Sequence, residues 1–217
     1  MRILFLIGVL AVLGAMPADA ANAEGDSPLS PLLEIVELPR TLLAIDSESG
    51  GETPVRLELG ETVYWKQSRG RVGAAITDRR MLMVATRSGA WQDVRFQSGE
   101  RIPKAAELGD RIVLITTNER AIGFDSGNRN AVVASLGPQE SWGQTAVSAN
   151  VAVVLTDRRA LAIAAGAGGF FEIKLRVSEV VEYVSAFANH ATVSTPARLL
   201  IFRATTGSWA ERRLRVN

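Results

Sequence analysis

A short tract that ends in arginine recurs five times along the 217-residue chain at nearly constant spacing. The tract reads Thr-Asp-Arg-Arg at 77–80 and 156–159, and Thr-Asn-Glu-Arg at 117–120. Weaker copies are Thr-Pro-Ala-Arg at 195–198 and Glu-Leu-Pro-Arg at 37–40. The positions of the closing arginines advance by 40, 40, 39 and 39 through the series Arg40, Arg80, Arg120, Arg159 and Arg198. Self-similarity at a fixed period of this length is the signature of a repeat architecture.

The residues around each tract repeat as well. A mostly apolar run such as Val72–Ile76 precedes the tract, and a second run such as Met81–Ala85 follows it. A break marked by glycine, a third run and a glutamate come next, and a fourth run follows the glutamate, most clearly at Thr62–Trp65. Runs of this length, rich in Val, Ile and Thr, favour β-strands, and the polar tract between two of them favours a hairpin turn. We label the strands A (after the glutamate), B, C and D.

The repeat divides the chain into units of about 30–60, 61–99, 100–139, 140–178 and 179–217, the first without a clear strand A. One four-stranded unit cannot bury both of its faces, whereas units stacked around an axis can. The sequence therefore predicts an all-β fold, a small β-propeller of about five four-stranded blades in a single domain at 24–217. A β-sandwich is the alternative. Because the first unit has no clear strand A, two ways of completing the propeller stay open. Pro31–Val36 closes the ring against the final strand, or the ring stays partly open.

Two copies carry Ser-Gly or Thr-Gly shortly before an aromatic residue on strand D, at Ser88-Gly89-Ala90-Trp91 and Thr206-Gly207-Ser208-Trp209. With the order A-B-C-D, this resembles the PQQ-like and YVTN-type repeats of bacterial β-propellers. Such repeats often carry an aspartate on strand C before the glycine, which only Asp46 and Asp125 supply here. The resemblance implies the blade architecture and a role in protein contacts, and it does not imply quinone binding.

The N-terminus has the features of a secretory signal peptide. Arg2 precedes an apolar run at Ile3–Met16, and small residues follow, so that cleavage after Ala20 or Ala23 is expected. A membrane anchor is the alternative, but it needs about 20 apolar residues. We therefore predict a signal peptide at 1–23 and a periplasmic or secreted protein that does not span a membrane after cleavage.

Composition argues against most catalytic classes. The chain has no cysteine, a single histidine at His190 and a net charge of +1. This predicts no thiolate metal site, no cofactor and no nucleic-acid partner. The glutamates that open strand A could in principle form a catalytic pair of the glycosidase kind, but a residue present once per unit usually serves the repeat. We expect no enzyme; the four glutamates are Glu61, Glu100, Glu140 and Glu179.

The repeated arginines and two unmatched tryptophans are the candidate binding residues. Strand order places Arg40, Arg80, Arg120, Arg159 and Arg198 on the same face as the glutamates. They either tie blade to blade as Arg–Glu pairs or form a ring that binds an anion. Trp91, Phe170 and Trp209 occupy equivalent positions, which favours packing between blades. Trp65 and Trp142 have no full set of equivalents and are candidates for a ligand or partner surface.

The predicted function is that of an exported, non-enzymatic binding or assembly module. One face of the propeller would contact another envelope or extracellular protein. A lectin-like protein that binds a small glycan or an anion is the alternative, and a hydrolase ranks third.

Overall fold

The computed structural model describes residues 31–103 and 106–214, and these residues form 19 strands in five antiparallel sheets. The predicted signal peptide lies outside the described residues. Blade 1 has three strands and blades 2 to 5 have four each, joined in chain order within every blade. The all-β prediction is confirmed, as a small β-propeller rather than a sandwich.

The strand bounds follow the repeat. Blade 1 contains β1 (Leu33–Leu38), β2 (Thr41–Asp46) and β3 (Glu52–Arg56). Blade 2 contains β4 (Val63–Arg69), β5 (Val72–Thr77), β6 (Arg80–Ala85) and β7 (Gln92–Arg95). Blade 3 contains β8 (Glu107–Leu108), β9 (Ile112–Thr116), β10 (Arg120–Asp125) and β11 (Ala131–Ser135). Blade 4 contains β12 (Trp142–Val147), β13 (Val151–Thr156), β14 (Arg159–Ala164) and β15 (Phe171–Lys174). Blade 5 contains β16 (Tyr183–Ala186), β17 (His190–Ser194), β18 (Arg198–Arg203) and β19 (Ser208–Arg213).

The threonine that opens four of the five tracts explains why these four recur. The Oγ1 atom of Thr77 accepts hydrogen bonds from the backbone N–H groups of Arg79 (3.1 Å) and Arg80 (3.0 Å). The same pair of bonds occurs at Thr117 and Thr156. A side-chain acceptor of this kind satisfies backbone donors that a two-residue loop leaves unpaired. The tract is therefore the turn between strands B and C, as predicted.

Burial shows which blades have neighbours on both sides. Every residue of β5, β6 and β13 is buried, because blades 2 and 4 are each covered on both faces. Strand β2 of blade 1 instead alternates between half-buried and buried residues, and strand β18 of blade 5 does the same up to its exposed last residue, Arg203. The buried apolar residues of these two strands belong to the apolar clusters that link each end blade to the next blade.

No such cluster joins blade 5 to blade 1 within the described ranges. Among the described residues, Pro31–Val36 does not pair with the final strand, because β1 pairs with β2 and belongs to a different sheet from β19. Blades 1 and 5 therefore each have one face that packs in no apolar cluster with another blade among the described residues.

The antiparallel order brings two kinds of connection to the same end of every blade. Turns between strands B and C and links from strand D to the next strand A lie at this end, which we call the turn face. The A–B and C–D loops lie at the opposite end. No helix in the described part of the chain is long and apolar enough to cross a membrane.

Candidate functional site

Each link on the turn face folds into the same tight turn. The backbone N–H of Glu61 donates to the carbonyl of Glu58 (3.1 Å), and the Glu61 carboxylate accepts from the backbone N–H of Glu58 (2.7 Å). This reciprocal pair recurs at the other three glutamates. The residue before each glutamate has a positive φ; these residues are Gly60, Gly99, Gln139 and Ser178. The turn therefore fixes the backbone and the side chain of the glutamate together.

Four arginines meet the four glutamates in bidentate ion pairs. Arg80 donates from Nε to Oε1 of Glu61 (2.8 Å) and from Nη2 to Oε2 (2.9 Å), and the Glu61 side chain has no exposed area. Two parallel bonds between a guanidinium and a carboxylate are among the strongest polar contacts in proteins. The same geometry joins Arg120 to Glu100, Arg159 to Glu140 and Arg198 to Glu179.

Each of these arginines also reaches the preceding blade. Nη2 of Arg80 donates to the carbonyl of Arg56 at the end of strand D in blade 1 (2.7 Å). The equivalent acceptors are the carbonyls of Arg95, Ser135 and Lys174. In blades 2, 4 and 5, Nη1 of the arginine also donates to an acid on strand D of its own blade; these acids are Asp93, Glu172 and Glu211, respectively. Blade 3 has Val133 at this position, so Arg120 has no such acid.

The glutamates are held in their ionised form. Burial alone would raise the pKa of Glu140, but hydrogen bonds from Arg159, Thr156 and the Gly137 backbone outweigh burial and lower the pKa to about 2. Hydrogen bonds from Arg198 lower the pKa of Glu179 to about 2 against the opposing effect of burial. The pKa values of Glu61 and Glu100 are also lowered.

Arg40 is the exception among the five predicted arginines. It is exposed, has a φ of +62°, and its side chain makes no hydrogen bond or ion pair among the described residues. Its environment differs because no described blade or glutamate turn precedes blade 1. For the other four, the occupied guanidinium groups favour the interpretation that they tie blade to blade. A role in anion binding stays a prediction.

The tryptophans lie between blades. Trp91 and Trp209 pack into interblade clusters, and each indole N–H donates to a carbonyl of the preceding blade, at Thr53 (2.8 Å) and Phe171 (2.9 Å) respectively. Trp65 and Trp142, the candidates for a ligand surface, are half-buried and pack against interblade clusters. The Trp142 indole donates to the carbonyl of Thr117 (2.6 Å). Ligand binding by these two residues stays a prediction.

The single histidine is not part of a polar site. His190 is exposed and stacks on Phe187, with ring centroids 4.6 Å apart. Within 31–103 and 106–214, no group of three or more His, Asp or Glu side chains could hold a metal ion.

Exposed apolar residues concentrate on the turn face. The described residues include ten exposed large hydrophobic side chains, and six of them lie in or beside the turns and links of this face: Leu38, Leu59, Ile102, Val177, Val180 and Leu214. Val177 is 98% exposed and Leu59 is 79% exposed, while Phe187 alone of the ten lies in a loop at the opposite end. Sequence reasoning missed this concentration, although Leu59 and Val177 each stand two residues before a repeated glutamate.

Among the described residues, the turn face carries two clefts of about 600 Å³ each. A cleft of about 640 Å³ lies on blade 4 between the links that flank it, and a cleft of about 610 Å³ lies on blade 1 beside Arg40. The blade 4 cleft is lined by charged residues of the turns together with Leu175 and Val177.

Comparison with known proteins gives only distant similarity. No protein-family model and no curated protein matches the chain. Among solved structures, apo AztD from Citrobacter koseri is 11% identical with a TM-score of 0.39, over 84% of this chain and 60% of that chain. Prp20p from Saccharomyces cerevisiae is 9% identical with a TM-score of 0.40, over 79% of this chain and 55% of that chain. YCF48 bound to D1 peptide is 15% identical with a TM-score of 0.36, over 86% of this chain and 70% of that chain. The chain thus spans less than two thirds of both AztD and Prp20p.

Proposed function

We propose that this protein is an exported, non-enzymatic binding or assembly module whose turn face contacts another protein. The observation that carries the proposal is the concentration of exposed apolar side chains on that face, including Leu59 and Val177. Exposed apolar residues gathered on one surface are a common mark of protein contact sites. The rigid turns that present them lower the entropic cost of binding.

The chemistry of the repeated glutamates supports a non-enzymatic role. A general acid needs a pKa near the working pH and access to a substrate. Glu140 and Glu179 have pKa values of about 2, and their side chains are almost fully buried against arginine. They serve the junctions between blades, and no proton is available from them near neutral pH.

The proposed location is the periplasm or the cell exterior, and the proposed partner is an envelope or extracellular protein. The support is the sequence of residues 1–23, with a cation, an apolar run and small residues in the order of a signal peptide. Immunodetection of the chain in periplasmic and culture fractions tests the location. Retention in the cytoplasm with an uncleaved N-terminus would contradict it.

Affinity capture tests the role of the turn face. The chain, tagged at its C-terminus, is cross-linked in its native compartment and purified beside a Leu59→Ser/Val177→Ser double variant. Both side chains are exposed, so we expect the variant to fold and to lose the captured partner. Phe187→Ser is the matched control at the opposite end and retains it. A partner that is captured equally by all three proteins contradicts the assignment of this face.

A further inference from the structure

The cleft on blade 4 carries an excess of positive charge. Its lining includes four cationic residues and three carboxylates: Arg158, Arg159, Lys174, Arg176, Glu140, Asp157 and Glu172. Arg159 donates hydrogen bonds to both Glu140 and Glu172, so the charges of these three residues are already paired with one another. Three cations, Arg158, Lys174 and Arg176, and one carboxylate, Asp157, then remain to set the charge of the open space.

Two of these cations have weak contacts or none within the described residues. Arg158 donates from Nη2 to the carbonyl of Gln139 at 3.4 Å, and its Nε lies 4.0 Å from Oδ2 of Asp157. Lys174 makes no side-chain hydrogen bond or ion pair within the described part of the chain. Arg176 differs, because its Nη2 donates to Glu211 at 2.8 Å.

In blade 2, a carboxylate of the chain itself occupies the position equivalent to the blade 4 cleft. Arg79 and Arg95 occupy the positions in blade 2 that Arg158 and Lys174 occupy in blade 4, two repeats later. The carboxylate of Glu58 lies between them: Nη1 of Arg79 donates to Oε2 at 2.8 Å, and Nη2 of Arg95 donates to Oε1. These hydrogen bonds, from Arg79 first and Arg95 second, lower the pKa of Glu58.

The blade 4 cleft lacks this carboxylate because of one difference between the repeats. The residue equivalent to Glu58, two repeats later, is Gly137, which opens the same kind of turn, with Glu140 in the place of Glu61. Blade 4 thus keeps both cations and the turn but has no side chain at this position to neutralise them. Glu58 is an in-chain example of the group that the cleft can accept.

We propose that the blade 4 cleft binds a carboxylate, supplied by an aspartate or glutamate side chain of a partner protein, in the place that Glu58 occupies in blade 2. The inference rests on the proposed function for its partner and gives that partner an acidic contact segment. Val177 at the rim of the cleft supplies an adjoining apolar contact. Because the cations are partly exposed, we expect the interaction to weaken as salt is added.

Direct binding of a defined probe tests the proposal. The probe is a fluorescein-labelled, acetylated and amidated decapeptide of alternating glutamate and glycine, and its control contains glutamine in place of glutamate. Fluorescence anisotropy is measured on the full chain at low and at moderate ionic strength. We expect the glutamate peptide to bind at least about tenfold more tightly than the glutamine peptide at low salt, with the difference shrinking as salt rises.

Gly137→Glu is the decisive variant, because it rebuilds the arrangement of blade 2 and places an internal carboxylate in the cleft. A Cβ at this position would lie 3.2 Å from Oε2 of Glu140, but Glu58, Gln97 and Arg176 carry a Cβ in the equivalent turns, so the turn accepts it. We expect Gly137→Glu to weaken peptide binding about tenfold, with Gly137→Gln closer to the unaltered protein. Lys174→Met, on an exposed side chain with no partner among the described residues, should weaken it in the same direction.

Equal binding of the two peptides, or unchanged binding by both Gly137→Glu and Lys174→Met, overturns the proposal. The peptide assay does not involve Leu59, so its failure is separable from failure of the proposed function. If Leu59→Ser/Val177→Ser loses the native partner while the peptides bind equally, the turn face is an interface and the carboxylate site is wrong. If no native partner depends on the turn face while the glutamate peptide binds selectively, the site stands and the proposed function falls.

Discussion

Arg120 and Glu100 meet at the boundary between blades 2 and 3, with Nε 2.8 Å from Oε1 and Nη2 2.8 Å from Oε2. The Glu100 side chain has no exposed area, and Nη2 of Arg120 also donates to the carbonyl of Arg95 in blade 2. One guanidinium therefore holds together the link between two blades and the last strand of the earlier blade. This relationship explains why an arginine follows a glutamate at a nearly constant separation in four consecutive units.

Replacing Arg120 by methionine should destabilise the protein strongly, because it leaves the buried Glu100 carboxylate without its partner. Removing one member of a buried ion pair typically costs about 3–5 kcal/mol. The measurement is the free energy of unfolding from urea titrations followed by tryptophan fluorescence.

Arg40→Met is the matched control, since Arg40 is the equivalent residue in blade 1 and its side chain has no described partner. We expect a change of less than about 0.5 kcal/mol. Equal losses in the two variants would show that the Arg–Glu junctions do not hold the blades together.

Acid should destabilise the protein between about pH 4.5 and pH 2. The pKa values of Glu140 and Glu179 are about 2 in the folded protein, against an ordinary value of 4.5. The unfolded chain takes up these protons first as pH falls, so stability is present above pH 4.5 and is lost as pH drops towards 2. Each carboxylate contributes up to about 3 kcal/mol at neutral pH.

Thermal unfolding from pH 7 to pH 2.5 checks this dependence. Glu140→Gln should lower the melting temperature at pH 7 and flatten its decline in acid. If the melting temperature of Glu140→Gln falls with decreasing pH as steeply as that of the unaltered protein, Glu140 is not a source of the acid sensitivity.

A second contact between blades comes from an aspartate at the end of strand C. Oδ1 of Asp125 accepts from the backbone N–H of Gly127 and Gly166, and Gly166 belongs to blade 4. Asp46 accepts from the backbone N–H of Arg87 in blade 2 in the same way. The aspartate that marks some copies of the repeat therefore joins blade 1 to 2 and blade 3 to 4.

Asp125→Ala should cost about 1–3 kcal/mol, because the backbone N–H groups of Gly127 and Gly166 lose their hydrogen bonds to a charged, buried acceptor. Asp125→Asn keeps one carbonyl acceptor and should lose less. The same urea titrations give both values, and identical losses would mean that the hydrogen bond to Gly166 is not the source of the effect.

Much of this architecture is predictable from the period alone. The Thr-x-x-Arg tract identifies the B–C turn because a two-residue loop needs a side chain to satisfy its backbone donors, as Thr77 does. The shared spacing of arginine and glutamate identifies the face on which they meet. Whether the ring closes is not predictable, because it depends on the rotation between blades and not on any residue within one.

The candidate site depends on exceptions to the repeat and not on the repeat itself. Trp65 and Trp142 have no full set of equivalents, yet both pack against apolar clusters that join two blades, where a large ring buries apolar area. The informative exception is Gly137, which stands at the position that Glu58 occupies two repeats earlier. Alignment of the repeats reveals the difference, but its consequence depends on Arg79 and Arg95 lying within reach of one carboxylate, which only the folded chain shows.

Glu58→Gly should create a second acidic-peptide site on blade 2. Removing this side chain leaves Arg79 and Arg95 without their shared carboxylate, as Gly137 leaves Arg158 and Lys174. Titration calorimetry with the glutamate peptide should show the stoichiometry rising from one to two per chain. Glu58→Gly combined with Gly137→Glu should return it to one, with binding moved to blade 2. An unchanged stoichiometry in the single variant would mean that a pair of cations on the turn face is not sufficient to bind a carboxylate.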